Sequence, residues 1–173
     1  MNIFFLDGNP EIAARMQCDQ HVIKMPIESM QMLSAAFHAN NQLDNPSLYA
    51  PSYLNHPSTV WVRQSRSHYR WLYRLMVALC EEYEYRYGRE HRVLRFAPDF
   101  KEPPRAIVET DFSVPPLCMP DEYKIGSTVI AYRLFYLYDK VRFARWTRRS
   151  PPDWWHDKET LPDILRQKRI KEN

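Results

Sequence analysis

The chain has 173 residues, 45% of them hydrophobic and 26% charged, with a formal net charge of +3, a length that suits one domain able to bury a core without covalent staples. Only 3 glycines stand against 14 prolines, which excludes Gly-rich phosphate loops and dinucleotide fingerprints, and the separated Cys18, Cys80 and Cys118 argue against a disulfide framework and for a reducing, cytoplasmic setting. No apolar run approaches the roughly 20 residues of a membrane span, so no membrane partner is expected.

In chain order, Met1–Leu6 reads as a short apolar, extended arm, and Asn9-Pro10-Glu11 opens a short helix because Asn caps well and Pro is tolerated in a first turn. Cys18 to about Ala39 reads as the second helix, interrupted or kinked by Pro26. Residues 40–57, with three prolines, form a loop. Residues 57–88 carry a cap at Ser58-Thr59, a stop at Gly88 and no Gly or Pro after Pro57, and are expected to be one long helix. Residues 89–104 and 114–124 are irregular, Ser127 to about Thr147 is expected to be a helix of roughly five turns, and 148–173 is a basic stretch opening RRSPPDWW. The expected fold is all-α: a compact bundle of about three to four main helices with an extended N-terminal arm and proline-rich loops. Residues 1–150 would form the body, and 151–173 a basic, aromatic tail packed on it or extending from it.

Two patterns suggest chemistry. Arg63, Arg66, Arg70 and Arg74 recur at spacings of three and four in the first half of 57–88, with Glu81, Glu82 and Glu84 in the second. That order opposes the helix dipole and suggests either an anionic partner or arginines paired with acids elsewhere. In CDQHVIKMPIESMQ, residues 18–31, helical spacing places His21, Lys24 and Glu28 on one stripe, while Val22, Met25, Met30, Leu33 and Phe37 face a core. Such a stripe is as compatible with a solvated face as with an active site.

The string Asp19-Gln20-His21, followed seven positions after the His by Glu28, resembles the signature region of the phage endonuclease V type pyrimidine-dimer DNA glycosylases, small all-helical enzymes. The resemblance implies a DNA partner and a glycosylase coupled to a lyase. An α-amine at the N-terminus, on Met1 or Asn2, would attack the sugar; Glu28 would stabilise the cationic sugar and move protons; His21 would orient the sugar or phosphate; Asp19 opens the motif. Family arginines that flank the catalytic Glu are replaced by Ile27 and Gln31, and the arm lacks its arginine, so the substrate is expected to differ, and Lys24, one turn from Glu28, could supply the amine instead. His56, Arg63, Arg66, Arg70, Arg145, Arg148, Arg149, Trp154 and Trp155 are the candidates for holding nucleic acid, by charge and by stacking, against a reading in which the two tryptophans cap the core. The chain also resembles phage-encoded proteins of unassigned function with a Cys-Asp-x-His-Val-x-Lys-Met helix.

Alternatives from other classes are a DNA base-modifying transferase on the same scaffold, a non-catalytic nucleic-acid-binding or counter-defence protein, and a nucleotide-pool enzyme. A metal site from Cys18, Asp19, His21 and His56 has poor ligand spacing, so neither metal nor other cofactor is expected. The oligomeric state is left open.

Overall fold

A computed structural model describes residues 1–156. Five α-helices carry it: α1 Pro10–Met16, α2 Asp19–Ala39, α3 Pro57–Val62, α4 Arg66–Tyr87 and α5 Thr128–Phe135. Short 3₁₀ turns lie at Leu94–Phe100, Asp121–Tyr123 and Asp153–Trp155, and a π turn at Tyr136–Lys140 follows α5. Among the described residues there is no strand, and none of the helices is long and apolar enough to cross a membrane.

The N-terminal half folds as its local signals predict. Asn9 caps α1, its side chain accepting from the Glu11 and Ile12 amides, with Pro10 in the first turn, where its missing N–H is not needed. α2 runs through Pro26 and buries Val22, Met25, Met30, Leu33 and Phe37, the face that the periodicity selects. It crosses α4, and α4 packs in turn on α1. Into this core runs the arm, whose Ile3, Phe4, Phe5 and Leu6 are all 5% exposed or less. It is therefore an element of the core.

Two expected helices are shorter than their sequence suggests. Residues 57–88 break at Arg63–Ser65, between α3 and α4. Here the segment 108–110 crosses: the Arg66 amide donates to the Val108 carbonyl, the Ser65 hydroxyl to the Thr110 carbonyl, and Ser65 then caps α4 through the Ser67 amide. The helix expected to reach Thr147 ends its α-helical part at Phe135. Beyond the π turn, the chain is drawn to the start of α2: the Asp19 amide donates to the Arg145 carbonyl, and the Thr147 amide and hydroxyl donate to the Asp19 carboxylate.

A buried charge network ties these parts together. Arg86, 1% exposed, donates to Glu82 at 2.7 Å, Asp19 at 2.9 Å and the Arg15 carbonyl at 3.1 Å. Arg149 completes it with two bonds to Glu82, at 2.5 and 2.7 Å. Two cations thus meet two carboxylates, and the arginine's donors are satisfied, the condition under which a buried ion network is tolerable.

Candidate active site

Glu28 is where the arm, α2 and the start of α3 meet. Its side chain is 12% exposed, and nitrogen atoms of three residues approach its two carboxylate oxygens. Oε1 takes the Lys24 ammonium at 2.8 Å; Oε2 accepts from the Asn2 amide at 3.2 Å and lies 4.0 Å from the Met1 α-amine. The helical spacing of Lys24 and Glu28 explains the first contact. The other two depend on how the arm is held.

Asn2 is the main clamp. Its Nδ2 donates to the Cys118 carbonyl at 2.8 Å, and its Oδ1 accepts from its neighbour's amide, Ile3 N, at 2.8 Å and lies 2.8 Å from the Tyr132 hydroxyl. Tyr132 is fully buried, and its hydroxyl also reaches the Pro116 carbonyl at 2.8 Å. The Met1 side chain is 2% exposed, with its sulfur 3.6 Å from the Thr59 hydroxyl. One residue earlier, the Ser58 hydroxyl lies 3.3 Å from the Cys118 sulfur. The first residues of α3 and the loop at Cys118 therefore form the wall against which Met1 and Asn2 lie.

His56 begins that wall. Its Nδ1 accepts from the Ser58 amide at 3.2 Å, so the neutral ring carries its proton on Nε2. Burial lowers its pKa; the Met1 α-amine lowers it further and Glu28 raises it, which places the ring in the field of both groups.

His21 is placed differently from the expectation that it handles sugar or phosphate. It is 7% exposed, stacked on Phe4 at 4.0 Å between ring centroids and hydrogen-bonded through Nδ1 to the Tyr136 hydroxyl. Burial, with the charges of Lys140 and Lys24, pushes its pKa down to about 3. At neutral pH it is an uncharged core ring that holds Phe4, two residues beyond the Asn2 clamp. Asp19 is likewise engaged elsewhere, by Arg86 and Thr147. Of the motif, the structure brings only Lys24 and Glu28 together, with Met1 and Asn2.

The expected nucleic-acid face divides in two. Arg70 pairs with Glu109 and Arg74 with Glu11, both at 2.9 Å, and Arg63 donates to the Leu54 carbonyl at 2.5 Å. Most of that arginine stripe is thus satisfied within the protein. Arg149 is spent on Glu82. Arg66, Arg145 and Arg148 have no acidic partner among the described residues. Arg148 lines an open cleft of about 490 Å³ with Arg15, Met16 and Tyr85. Trp154 and Trp155 pack on the core: Trp154 donates to the Met16 sulfur at 3.4 Å, and Trp155 meets Trp146 edge to face at 4.8 Å. Among the described residues no group of three or more His, Cys, Asp or Glu is arranged to hold a metal ion.

The residues that meet at Glu28, though not Cys118 and Tyr132, which hold Asn2, lie in a stretch that a family model recognises. The family model for pyrimidine dimer DNA glycosylases matches residues 1–95, more than half of the chain and including the arm, α2 with Glu28, α3 and α4. The chain belongs to the pyrimidine dimer DNA glycosylase family. DNA as its substrate follows at the family level. No curated protein and no solved structure matches it.

Sequence reasoning missed the residues that assemble this candidate site from distant parts of the chain: Phe4 and Tyr136, which flank His21, and Cys118 and Tyr132, which hold Asn2. Asn2 lies 116 positions from Cys118 and 130 from Tyr132, and no periodicity reports such a pairing.

Proposed function

We propose that this protein is an N-glycosylase with associated lyase activity on a damaged or modified pyrimidine in DNA, in which Glu28 serves an amine nucleophile. The observation that carries this reading is the shared contact of the Met1 α-amine, the Asn2 nitrogen and the Lys24 ammonium with one partly buried carboxylate.

In this scheme a neutral amine attacks the deoxyribose C1′ as the C1′–N bond to the base breaks, and the base leaves with the electron pair and takes up a proton. Glu28 stabilises the positive charge that develops on the sugar and accepts a proton from the attacking nitrogen. The C1′–O4′ bond then breaks, O4′ taking up a proton to become a hydroxyl, so that the ring opens to an iminium, and removal of a C2′ proton expels the 3′-phosphate by β-elimination. The α-amine is the preferred nucleophile, since α-amines ordinarily titrate near pH 8 and lysine amines near 10.4, leaving more neutral amine at pH 7. Lys24 is the second reading, favoured by its 2.8 Å contact and 68% exposed side chain. Asn2 takes the α-amine role if Met1 is removed, as its nitrogen already faces Oε2. His56, with Nε2–H directed by its capping bond, is suited to donate to a sugar or phosphate oxygen. Arg66, Arg145 and Arg148 would hold phosphates, and residues 151–156, with both tryptophans, would act as part of the body.

The test incubates the protein with duplexes carrying a pyrimidine dimer, an abasic site or a modified pyrimidine, adds borohydride and isolates any covalent adduct. Trapping is expected in the parent and lost in Glu28→Gln, and mass mapping of the adduct chooses among Met1, Asn2 and Lys24. If no substrate traps, or Glu28→Gln traps as well as the parent, the proposal is wrong.

A further inference from the structure

Tyr53 is unlike every other aromatic residue of the molecule. Its relative exposure, 67%, is the highest of any large apolar side chain among the described residues, and its φ is +50°, a left-handed conformation that a bulky residue rarely adopts. Asn41 and Arg148 share the positive sign, but Asn tolerates it and Arg148 is anchored by Tyr85, whose hydroxyl donates to its carbonyl. Tyr85, also exposed, is occupied further by the Arg149 guanidinium above its ring at 4.6 Å. Tyr53 makes no ring contact and no side-chain hydrogen bond among the described residues.

The turn that presents it is nonetheless firmly held. The His56 amide donates to the Tyr53 carbonyl at 3.0 Å, and Arg63 reaches back to donate to the Leu54 carbonyl at 2.5 Å. The next residues, Ser58 and Thr59, touch Cys118 and Met1. A strained turn thus carries a bare aromatic ring three residues before His56, where the wall that positions Met1 and Asn2 begins. Arg63, expected to grip DNA, serves that turn.

We propose that Tyr53 is a stacking wedge, inserting its ring into the duplex where a base is missing from the stack. An enzyme that reaches C1′ of a nucleotide in duplex DNA has to open the stack there, and the gap is stabilised by a planar apolar group fixed beside the reacting centre. A ring on a rigid turn suits this, because little conformational freedom is lost on insertion. The occupant is the base step flanking that gap, and the role rests on the reading of the Glu28 site as one that acts on DNA sugar.

The probe is a duplex with one stable abasic analogue and 2-aminopurine beside it, compared with the same duplex unmodified. Tyr53→Gly removes the ring and relieves the backbone, so the variant folds, which a thermal melt verifies; Tyr53→Phe keeps the ring. We expect Tyr53→Gly to weaken binding to the abasic duplex about 10-fold or more, the scale of one lost base–aromatic stack, to change binding to the unmodified duplex by less than about twofold, and to abolish the 2-aminopurine response. Tyr53→Phe should behave as the parent. Equal abasic-duplex affinity for Tyr53→Gly and parent overturns the wedge, as does equal weakening on both duplexes, or loss in Tyr53→Phe. Borohydride trapping by parent and Glu28→Gln, run in parallel on a natural abasic duplex, judges the Glu28 reading separately: trapping that needs Glu28 while Tyr53→Gly binds normally sinks the wedge alone, and absent trapping sinks the reading on which it rests.

Discussion

The Asn2 side chain sets where the two N-terminal nitrogens stand relative to Glu28, through bonds to Cys118 and Tyr132. Asn2→Ala leaves the Cys118 carbonyl without that donor, which should cost about 1–3 kcal/mol of stability, and it releases the arm. Single-turnover adduct formation with an abasic duplex should then slow by more than the binding constant changes; a variant with parent rate and parent affinity would show that the clamp does not position the amine. His21 makes a prediction in pH. Its folded pKa of about 3 lies below the ordinary 6.5, so between those values the unfolded chain binds the extra proton. Stability from His21 is then complete above about pH 6.5 and is lost as pH falls toward 3, with a slope of up to about 1.4 kcal/mol per pH unit. His21→Phe retains a ring against Phe4 and lacks the titrating nitrogen. Urea midpoints measured from pH 7 to 4 should fall less steeply for this variant than for the parent, and identical slopes would refute the assignment of His21 as a buried neutral ring.

At the scale of elements, what was legible in the sequence is what local chemistry decides. Asn9-Pro10 starts α1 and the apolar spacing of α2 gives its buried face, because capping and amphipathic burial act within a few residues. The same locality made Lys24 and Glu28 readable as neighbours. The break between α3 and α4 was not readable, since the Ser65 hydroxyl accepts from the Thr110 amide and lies within reach of its carbonyl, 45 positions on, and nothing local in Arg63–Ser65 forbids a helix. The early end of α5 has the same origin in the Asp19–Thr147 contact. Arg86, near the end of α4, would pass for an ordinary last-turn cation, yet it is the pivot that joins α1, α2 and α4 with Arg149 attached to the same carboxylate. Arg86→Met strands Glu82 with one partner and takes the arginine from Asp19. Loss of one partner from such a buried network is expected to cost about 3–5 kcal/mol, readable as a lower urea midpoint with unchanged helix content in the folded baseline. A shift under about 1 kcal/mol would mean that the network is solvated and of little energetic consequence.

For the whole molecule, a net charge of +3 leaves little general attraction to a polyanion, so DNA affinity has to come from a few cations that are free to meet phosphates. The pairing pattern says which. Arg70 and Arg74 already hold carboxylates, and transferring Arg70 to a phosphate would free Glu109 near the same strand, so their net contribution to binding should be small. Arg66, Arg145 and Arg148 carry no such debt. Each phosphate contact lowers log K by about 0.9 per unit of log salt, so Arg145→Ala and Arg148→Ala should each reduce the magnitude of that slope by about one, measured by fluorescence anisotropy on an unmodified duplex between 50 and 200 mM salt, a range over which such contacts differ strongly. Arg70→Ala should leave the slope within about 0.3 of the parent, an allowance on the order of a third of one contact. The reverse result, with Arg70 carrying a full contact and Arg148 none, would move the DNA from the cleft beside Tyr85 to the α4 face, and the ion pairs that hold that face together would then have to open on binding.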